Sequence, residues 1–338
     1  MPFRYLVRRA RTHASRATGV LALSLAAACG GSSGGPGVRV VIPAGSNFST
    51  AVDSLSRAGV IGSPRLFKLY ASARNRDRSL KAGTYAFERD ASWNDVLDAL
   101  TRGKGLVHNV TIPEGFALAS IAKVLGRAIA VPPESVLAAA GDSALRRRLD
   151  VPTPSLEGYL FPDTYAFAEG TSPREAVGVL VARFEQVWKP EWDARLQALA
   201  MSRHDVMTLA SIIEKEARLP EERPVISAVY HNRLRIGMPL QADPTVQYAL
   251  GRHVDRVLYR DLEVDSRYNT YKYKGLPPGP IASPGAASIE AALFPANVPY
   301  LYFVAHPDGH HEFRRTFSEH TAARAQIRRD NPPRPSSR

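Results

Sequence analysis

The stretch "VTIPEGFALASIAKVL", residues 110–125, has the order of a strand, a Pro-x-Gly turn and an amphipathic helix. Ile121, Val124 and Leu125 recur at helical spacing in its second half. An earlier stretch, "VVIPAGSNFSTAVDSL" at residues 40–55, aligns with it and shares five of its sixteen positions. A repeated strand-turn-helix unit predicts a mixed α+β fold.

The segment between the two copies completes a small module. A helix is predicted at 64–73, a strand at 82–87 and a helix at 92–102, with Ser92 as its N-cap and Asp95 three residues later. We assign residues 38–107 to this module, whose strand-helix units resemble LysM-type glycan-binding modules. Residues 108–154, which hold the second copy and an alanine-rich helical stretch, form a second strand-helix unit and connector.

The positive charge of the chain is concentrated at its two ends. The 338 residues carry a formal net charge of +12. The first sixteen residues hold five arginines and no acid, and residues 328–338 carry a net +3, which leaves +4 for the rest. Because the body of the chain is only mildly basic, no nucleic-acid partner is predicted.

The N-terminus has the layout of an export signal. The arginine-rich start is followed by the apolar run "VLALSLAAAC", residues 20–29, which is shorter than the roughly 20 residues of a membrane span. Residues 1–29 are therefore predicted to be a plain signal, a lipoprotein signal that leaves Cys29 lipidated, or a short uncleaved anchor. All three place the rest of the chain outside the cytoplasm. Residues 30–37 form a Gly/Ser tether, and the single cysteine excludes an internal disulfide.

A larger domain is predicted at 155–325. It opens with "SLEGYLFPDTYAF", in which aromatic rings and the acids Glu157 and Asp163 suit either a packed loop or a sugar-binding surface. Helices are predicted at 173–188, 201–220, 224–235 and 286–293, and a β-hairpin begins with the strand 300–305. Residues 326–338 are predicted to be a disordered basic tail.

The helix at 201–220 carries two acids, Glu214 and Glu216, that point in different directions. Ser202 and Asp205 are placed for a capping box, and Pro220 is expected to end the helix. At about 100° per residue, Glu216 lies roughly 60° from the centre of the apolar face and Glu214 roughly 100° away on the other side. Glu216 is therefore the acid expected to be partly desolvated, with a raised pKa that suits a general acid. Glu214 is better placed to pair with a cation or a neighbouring loop.

Periodicity alone leaves a solvated helix face open as the alternative for these acids. The sequence contains no Gly-rich phosphate loop, no Cys-His pair and no G-x-S-x-G. His306, His310 and His311 lack a recognised ligand spacing. We therefore predict neither a metal nor a cofactor.

Five segments in one order resemble the YceG-like family of endolytic murein transglycosylases, over residues 38–325. The segments are "LEGYLFPDTY" (156–165), "ASIIEKEA" (210–217), "NRLRIGMPLQADPTVQYALG" (232–251), "YNTYKYKGLPPGPIASPG" (268–285) and "YLYFVA" (300–305). The resemblance implies a membrane-anchored enzyme that faces the cell wall. It cuts peptidoglycan strands between N-acetylmuramic acid and N-acetylglucosamine and leaves a 1,6-anhydromuramyl end, which would terminate or trim nascent strands. Peptidoglycan synthases are candidate partners.

The resemblance also implies the site residues. The essential acid of the family is the second glutamate of its "EKE", which is Glu216 here, and Glu214 and Glu157 would support it. For Asp243 and Asn269, capping of turns is the open alternative to substrate binding. A non-catalytic wall-binding protein is the alternative function. The candidate residues for the sugar-binding shell are Gln241, Asp243, Tyr268, Asn269 and Tyr271.

Overall fold

A computed structural model describes residues 38–331, apart from residues 44, 78–79, 89–90, 104–106, 169–170, 253 and 255–256. The predicted export segment 1–29, the tether 30–37 and the end of the tail, 332–338, lie outside the described residues. Within the described ranges, no helix combines the length and the apolar composition that a membrane span needs.

Helices and small antiparallel sheets alternate along the described chain, so the mixed α+β fold is confirmed. The strands are β1 (Val38–Ile42), β2 (Gly83–Phe87), β3 (Val107–Thr111), β4 (Thr164–Ala168), β5 (Tyr302–Ala305) and β6 (His311–Arg314). The helices are α1 (Phe48–Arg57), α2 (Pro64–Ala73), α3 (Trp93–Arg102), α4 (Leu118–Ala128), α5 (Pro133–Ala140), α6 (Ser143–Arg148), α7 (Pro173–Val187), α8 (Pro190–Leu199), α9 (Arg203–Glu216), α10 (Arg223–Arg235), α11 (Asp243–Ala249), α12 (Ala286–Leu293) and α13 (Phe317–Asp330).

The first module has its own hydrophobic core. β1 pairs antiparallel with β2, and α1, α2 and α3 cover the pair with buried apolar side chains between Val40 and Leu100. α2 begins and ends at the predicted residues, and Ser92 accepts a hydrogen bond from the Asp95 N–H at the start of α3. The first strand-turn-helix copy is therefore present as predicted, while its assignment as LysM-like stays a prediction.

The second copy belongs to a larger core. Val110 of β3 and Ile121 and Leu125 of α4 are buried together with side chains from residues as far along the chain as Leu293. β3 pairs antiparallel with β4, and this pairing joins the second copy to the segment after residue 155. Residues on both sides of the predicted boundary at 154/155 thus share one core; the domain boundaries themselves stay predictions.

Helix α9 crosses this larger core and ends earlier than expected. Ser202 and Asp205 form the predicted capping box, and the apolar face of the helix is buried. The prediction that Pro220 ends the helix is wrong, because Ala217 already has extended backbone angles and Glu216 is the last helical residue. Pro220 instead opens a short 3-10 turn, Pro220–Glu222, that leads into α10, and Leu219 before it is extended, as a residue before proline prefers.

The C-terminal part contains the predicted hairpin, in which β5 pairs antiparallel with β6. Helix α13 then runs to Asp330, so the prediction of disorder is wrong for residues 326–330. Thr316 and Glu319 form a capping box at its start, and Gln326 donates hydrogen bonds of 3.0 Å to the Asp330 carboxylate in its last turn. The helix forms because its caps are local, whereas the proline-rich composition begins only at residue 332.

Candidate active site

Glu216 lies at the C-terminal end of α9, where the chain turns towards α10. Its Oε1 accepts a hydrogen bond of 3.1 Å from the hydroxyl of Tyr230 on α10. Tyr230 is only 1% exposed, so it holds the carboxyl from within the core. Among the described residues, Glu216 Oε2 has no hydrogen-bond partner and is open to a ligand.

The pKa of Glu216 is raised to about 7. Burial is the main cause, and the negative charge of Asp243 adds to it, while the Tyr230 hydrogen bond and the positive charge of Arg233 act in the opposite direction. The residue keeps part of its surface open, although its carboxyl lies deep. The negative end of the α9 dipole also disfavours an ionised carboxylate at this position. Glu216 can therefore carry a proton at neutral pH and still release it.

Tyr230 and Arg233 were not among the sequence-predicted site residues. They lie three residues apart on α10 and so share a face of that helix. Arg233 is only 7% exposed. Its guanidinium donates hydrogen bonds to the carbonyls of Leu301, at 2.7 Å, and Leu240, at 2.6 Å. This buried cation fixes the segment before α11 and the segment before β5 around the carboxyl of Glu216. The three-residue spacing of Tyr230 and Arg233 on a predicted helix was the sequence signal that places them on one face.

Glu214 joins α9 to the N-terminus of α12. Its Oε2 accepts hydrogen bonds from the Gly285 N–H, at 3.1 Å, and the Ser288 hydroxyl, at 2.7 Å, and Arg223 lies 3.8 Å from Oε1. The expected cation and loop partners are therefore both present. The side chain is nevertheless only 8% exposed, so the rotation argument underestimated its burial. Residues from another part of the chain cover it, and the periodicity of α9 contains no information about them.

The turn of the second repeat copy packs against the "EKE" segment. Gly115 has a φ of +73°, and a β-carbon there would lie 3.6 Å from Lys215 Cδ and 3.7 Å from Glu214 Cγ. Its neighbour Glu114 is largely exposed, but its carboxyl lies against Gly285 and leaves no room for a β-carbon at that glycine. Partial burial and then the charge of Glu214 raise the pKa of Glu114. Sequence reasoning missed Glu114 because the repeat alone gave it no partner.

Three of the predicted sugar-binding residues lie in two adjoining segments near Glu216. The Tyr271 hydroxyl donates a hydrogen bond of 2.5 Å to Asp243 Oδ1. Gln241 is exposed in a left-handed conformation, with a φ of +50°, and its N–H donates to the Thr270 carbonyl at 3.1 Å. Asp243 is exposed in the first turn of α11, where the helix dipole favours a carboxylate. Asp243 and Tyr271 are thus placed to meet a ligand at Glu216.

Asn269 is buried, whereas Gln241 and Asp243 are exposed. Its side chain is fully buried, and Nδ2 donates to the carbonyls of Leu262, at 2.8 Å, and Val264, at 2.9 Å. Its Oδ1 accepts a hydrogen bond of 3.1 Å from the Tyr271 N–H. Asn269 therefore shapes the loop that presents Tyr271, and its side chain is not available to a ligand. This is the turn-capping alternative that the sequence left open.

Glu157 and Tyr268 lie on the side of α11 that carries Tyr248. Glu157 is 6% exposed, accepts a hydrogen bond of 2.9 Å from the Leu118 N–H at the start of α4, and accepts another of 3.3 Å from the Tyr248 hydroxyl. Burial raises the pKa of Glu157 to about 7, against the effect of these hydrogen bonds. The rings of Tyr248 and Tyr268 pack with centroids 4.8 Å apart. Glu157, in the "LEGYLFPDTY" segment, is therefore held between the start of α4 and α11.

The histidines near the C-terminus lie within hydrogen-bond distance of carboxylates. His311 Nδ1 lies 2.6 Å from Glu222 Oε2, and His306 Nε2 lies 3.1 Å from Glu312 Oε2. Across the described ranges, no group of three or more His, Cys, Asp or Glu side chains is arranged to hold a metal ion.

Residues 40–326 match the model of the YceG-like family. The chain belongs to this family. The chain is 36% identical over 302 residues to an endolytic murein transglycosylase from Bacillus subtilis (strain 168), which covers 85% of this chain and 84% of the relative. A second endolytic murein transglycosylase, from Streptococcus pneumoniae serotype 2, is 31% identical over 299 residues, covering 79% of this chain and 54% of that protein.

This chain is also similar to the crystal structure of a YceG-like protein from Listeria monocytogenes. It has a TM-score of 0.61 and 36% sequence identity, and the match covers 84% of this chain and 98% of the other. The resemblance to the YceG-like family, made from five sequence segments, is therefore confirmed.

Proposed function

We propose that this chain is an endolytic murein transglycosylase. It cuts a peptidoglycan strand between N-acetylmuramic acid and N-acetylglucosamine and forms a 1,6-anhydromuramyl end. The observation that carries the proposal is the carboxyl of Glu216, whose pKa is raised to about 7 and whose Oε2 is open, in a chain of the YceG-like family. Relatives that carry this activity in their names support it.

One carboxyl is enough for this reaction, because the sugar supplies its own nucleophile. Protonated Glu216 donates its proton to the glycosidic oxygen as the bond between that oxygen and the muramyl anomeric carbon breaks. The resulting carboxylate takes the proton of the muramyl 6-hydroxyl, whose oxygen attacks the anomeric carbon and closes the anhydro ring. Glu216 ends protonated as it began, and no water is consumed.

The neighbours of Glu216 have separate roles in this proposal. The Asp243 carboxylate helps to keep Glu216 protonated and offsets the positive charge that develops at the anomeric carbon. Tyr271, hydrogen-bonded to Asp243, and the exposed Gln241 bind the sugars on either side. Glu214 supports the site by fixing the end of α9 to α12.

Mass spectrometry of cleaved strands tests the proposal. We expect purified wild-type protein to release fragments with anhydro ends from soluble peptidoglycan strands. Glu216→Gln, which keeps the shape of the side chain but cannot transfer the proton, should fold normally and form almost no product. Glu214→Gln serves as the matched control and should lose less. Intact strands with the wild-type protein, or an active Glu216→Gln beside an inactive Glu214→Gln, would contradict the assignment.

We also propose that residues 1–29 attach the chain to the cell membrane, with the catalytic domain on the extracytoplasmic, periplasmic face. The arginine-flanked apolar run that ends at Cys29 supports this placement. Cell fractionation should recover the full-length protein with membranes and protease should reach it from outside. Recovery in the cytoplasm would show that the proposal is wrong.

The first module would position the enzyme on glycan strands, or beside the peptidoglycan synthases that make them, rather than take part in the chemistry. Its separate hydrophobic core, from Val40 to Leu100, supports an independent role. Residues 38–103, produced alone, should sediment with insoluble murein. If they stay in solution while the full chain sediments, the binding role belongs elsewhere.

A further inference from the structure

A cavity of about 770 Å³ lies between the turn before α4, α11 and the "EKE" segment. Lys215 and Pro244 line it, and they are the chain neighbours of Glu216 and Asp243. A strand held at Glu216 therefore has this cavity beside it. A larger cavity, of about 1030 Å³, is lined by Asp205 at the other end of α9 and by residues of α10, among them Asn232 and Leu234. The smaller cavity is lined by the "EKE" segment itself, through Lys215.

Three cations from three different segments line this smaller cavity. Lys123 lies on α4, Lys215 in the last turn of α9, and Arg252 after the end of α11. The Lys215 ammonium lies 3.3 Å from the Gly115 carbonyl, and Arg252 lies 3.8 Å from Asp261 Oδ1. Within the described residues, Lys123 makes no hydrogen bond or ion pair. Charges of one sign that converge on a concave surface attract an ion of the opposite sign more strongly than scattered surface lysines do.

Glu157 is the single acid among the residues that line the cavity. Burial raises its pKa to about 7, so below neutral pH the carboxyl is largely protonated and does little to cancel the charges of Lys123 and Lys215. Its oxygens are held by the Leu118 N–H and the Tyr248 hydroxyl. The cavity is therefore electropositive under the conditions in which Glu216 would be protonated.

The remaining walls suit a sugar derivative. Phe116, Ile281 and the Tyr248 ring give apolar surface, and Ser120 and Gln247 give hydrogen-bonding groups. Apolar and polar groups therefore share the lining, so it can meet both the ring faces and the hydroxyl groups of a sugar. The cations of the cavity favour a sugar derivative that carries a negative charge.

We propose that this cavity is the subsite for the carboxylate-bearing substituent of a muramyl residue next to the cleaved bond. The inference rests on the proposed function, because a muramyl residue reaches the cavity only if the strand is bound at Glu216. The carboxylate has two possible sources: the lactyl group, which is free in strands without peptides, and the acidic peptide stem. An N-acetylglucosamine residue carries no such group and leaves the cations unused.

Equilibrium binding in the Glu216→Gln background tests the subsite without cleavage. Three ligands are compared: soluble strands with peptide stems, strands whose stems an amidase has removed, and neutral chitooligosaccharides. We expect Lys123→Gln to raise the Kd for carboxylate-bearing strands about threefold to tenfold, as for one ion pair at a partly shielded site, and to leave the Kd for chitooligosaccharides unchanged. Weakening with stem-bearing strands alone assigns the carboxylate to the stem, weakening with stripped strands alone assigns it to the lactyl group, and weakening with both means that the subsite takes either carboxylate.

Arg127→Gln is the matched control, because Arg127 is an exposed cation one turn after Lys123 on α4 and lines a different cavity. It should change none of the three affinities. The subsite is refuted if Lys123→Gln binds every carboxylate-bearing strand as tightly as the background protein, or if it weakens the neutral ligand equally. Product formation by the wild-type protein is measured separately, so a chain that binds as expected but makes no anhydro ends would contradict the proposed function and not the subsite.

Discussion

Glu216 lies at the end of α9, and Glu157 lies against the start of α4. Burial raises the pKa of each carboxyl to about 7, but the surroundings of the two carboxyls differ. Glu216 is the last residue of a helix and accepts one hydrogen bond, from Tyr230, so its second oxygen has no partner among the described residues. Glu157 caps the first turn of a helix, and both of its oxygens accept hydrogen bonds. Equal pKa values therefore do not give equal functions: a carboxyl that can exchange its proton with a ligand needs a free oxygen as well as burial.

Substitution of the two glutamates should give the largest difference between these regions. Glu216→Gln should lower turnover by about 10²- to 10⁴-fold, since in the proposed mechanism one group serves as both acid and base. Glu157→Gln keeps an acceptor for the Leu118 N–H and should lower turnover by about tenfold at most. Initial rates of anhydro-end formation measure both. Equal losses would mean that the two regions act in the same step.

The pH dependence of turnover should follow Glu216. Its pKa of about 7 means that the proton needed for the first step is present below pH 7 and is lost as the pH rises through that value. Turnover should therefore fall about tenfold per pH unit well above pH 7. In Glu157→Gln this alkaline limb should stay in place, and its disappearance would assign the limb to Glu157 instead.

Protonation of either Glu157 or Glu216 should raise the free energy of unfolding. A folded pKa of about 7, above the ordinary value of 4.5, means that the native state favours the protonated carboxyl. The contribution of these two glutamates to the free energy of unfolding should therefore be fully present below pH 4.5 and be lost as the pH rises from 4.5 to 7. Between pH 5 and pH 8, urea unfolding of wild type should lose more free energy than that of Glu157→Gln, by an amount of order 1–3 kcal/mol. The exposed Glu134→Gln should behave as wild type.

Changes around Glu216 should move the alkaline limb in opposite directions. Tyr230→Phe removes a hydrogen bond that lowers the pKa of Glu216, so the limb should move to higher pH. Asp243→Asn removes a negative charge that raises the pKa of Glu216, so the limb should move to lower pH. Tyr248→Phe removes a hydrogen bond to Glu157 and none to Glu216, so it should leave the limb unchanged. Shifts of the same sign in the first two variants would contradict the electrostatic account.

Local patterns in the sequence determined much of the secondary structure. The capping residues Ser92 and Ser202, the helix spacing of α2 and α12 and the repeated Pro-x-Gly turn all depend on residues within a few positions of each other. Such contacts are written into short stretches, so they could be predicted without the fold. The direction of Glu216 beside the apolar face of α9 belongs to the same class.

Only the tertiary structure decided which polar groups are buried, and by what. Glu214 is covered by α12, Glu157 is covered by α4 and α11, and Asn269 is enclosed by its own loop. The repeat predicted the turn at Gly115 but not that it packs on Lys215, one hundred residues along the chain. Burial and charge act through space and do not depend on separation along the chain. The pKa of a glutamate therefore follows from the whole fold, while the helix that carries it follows from its nearest neighbours in the sequence.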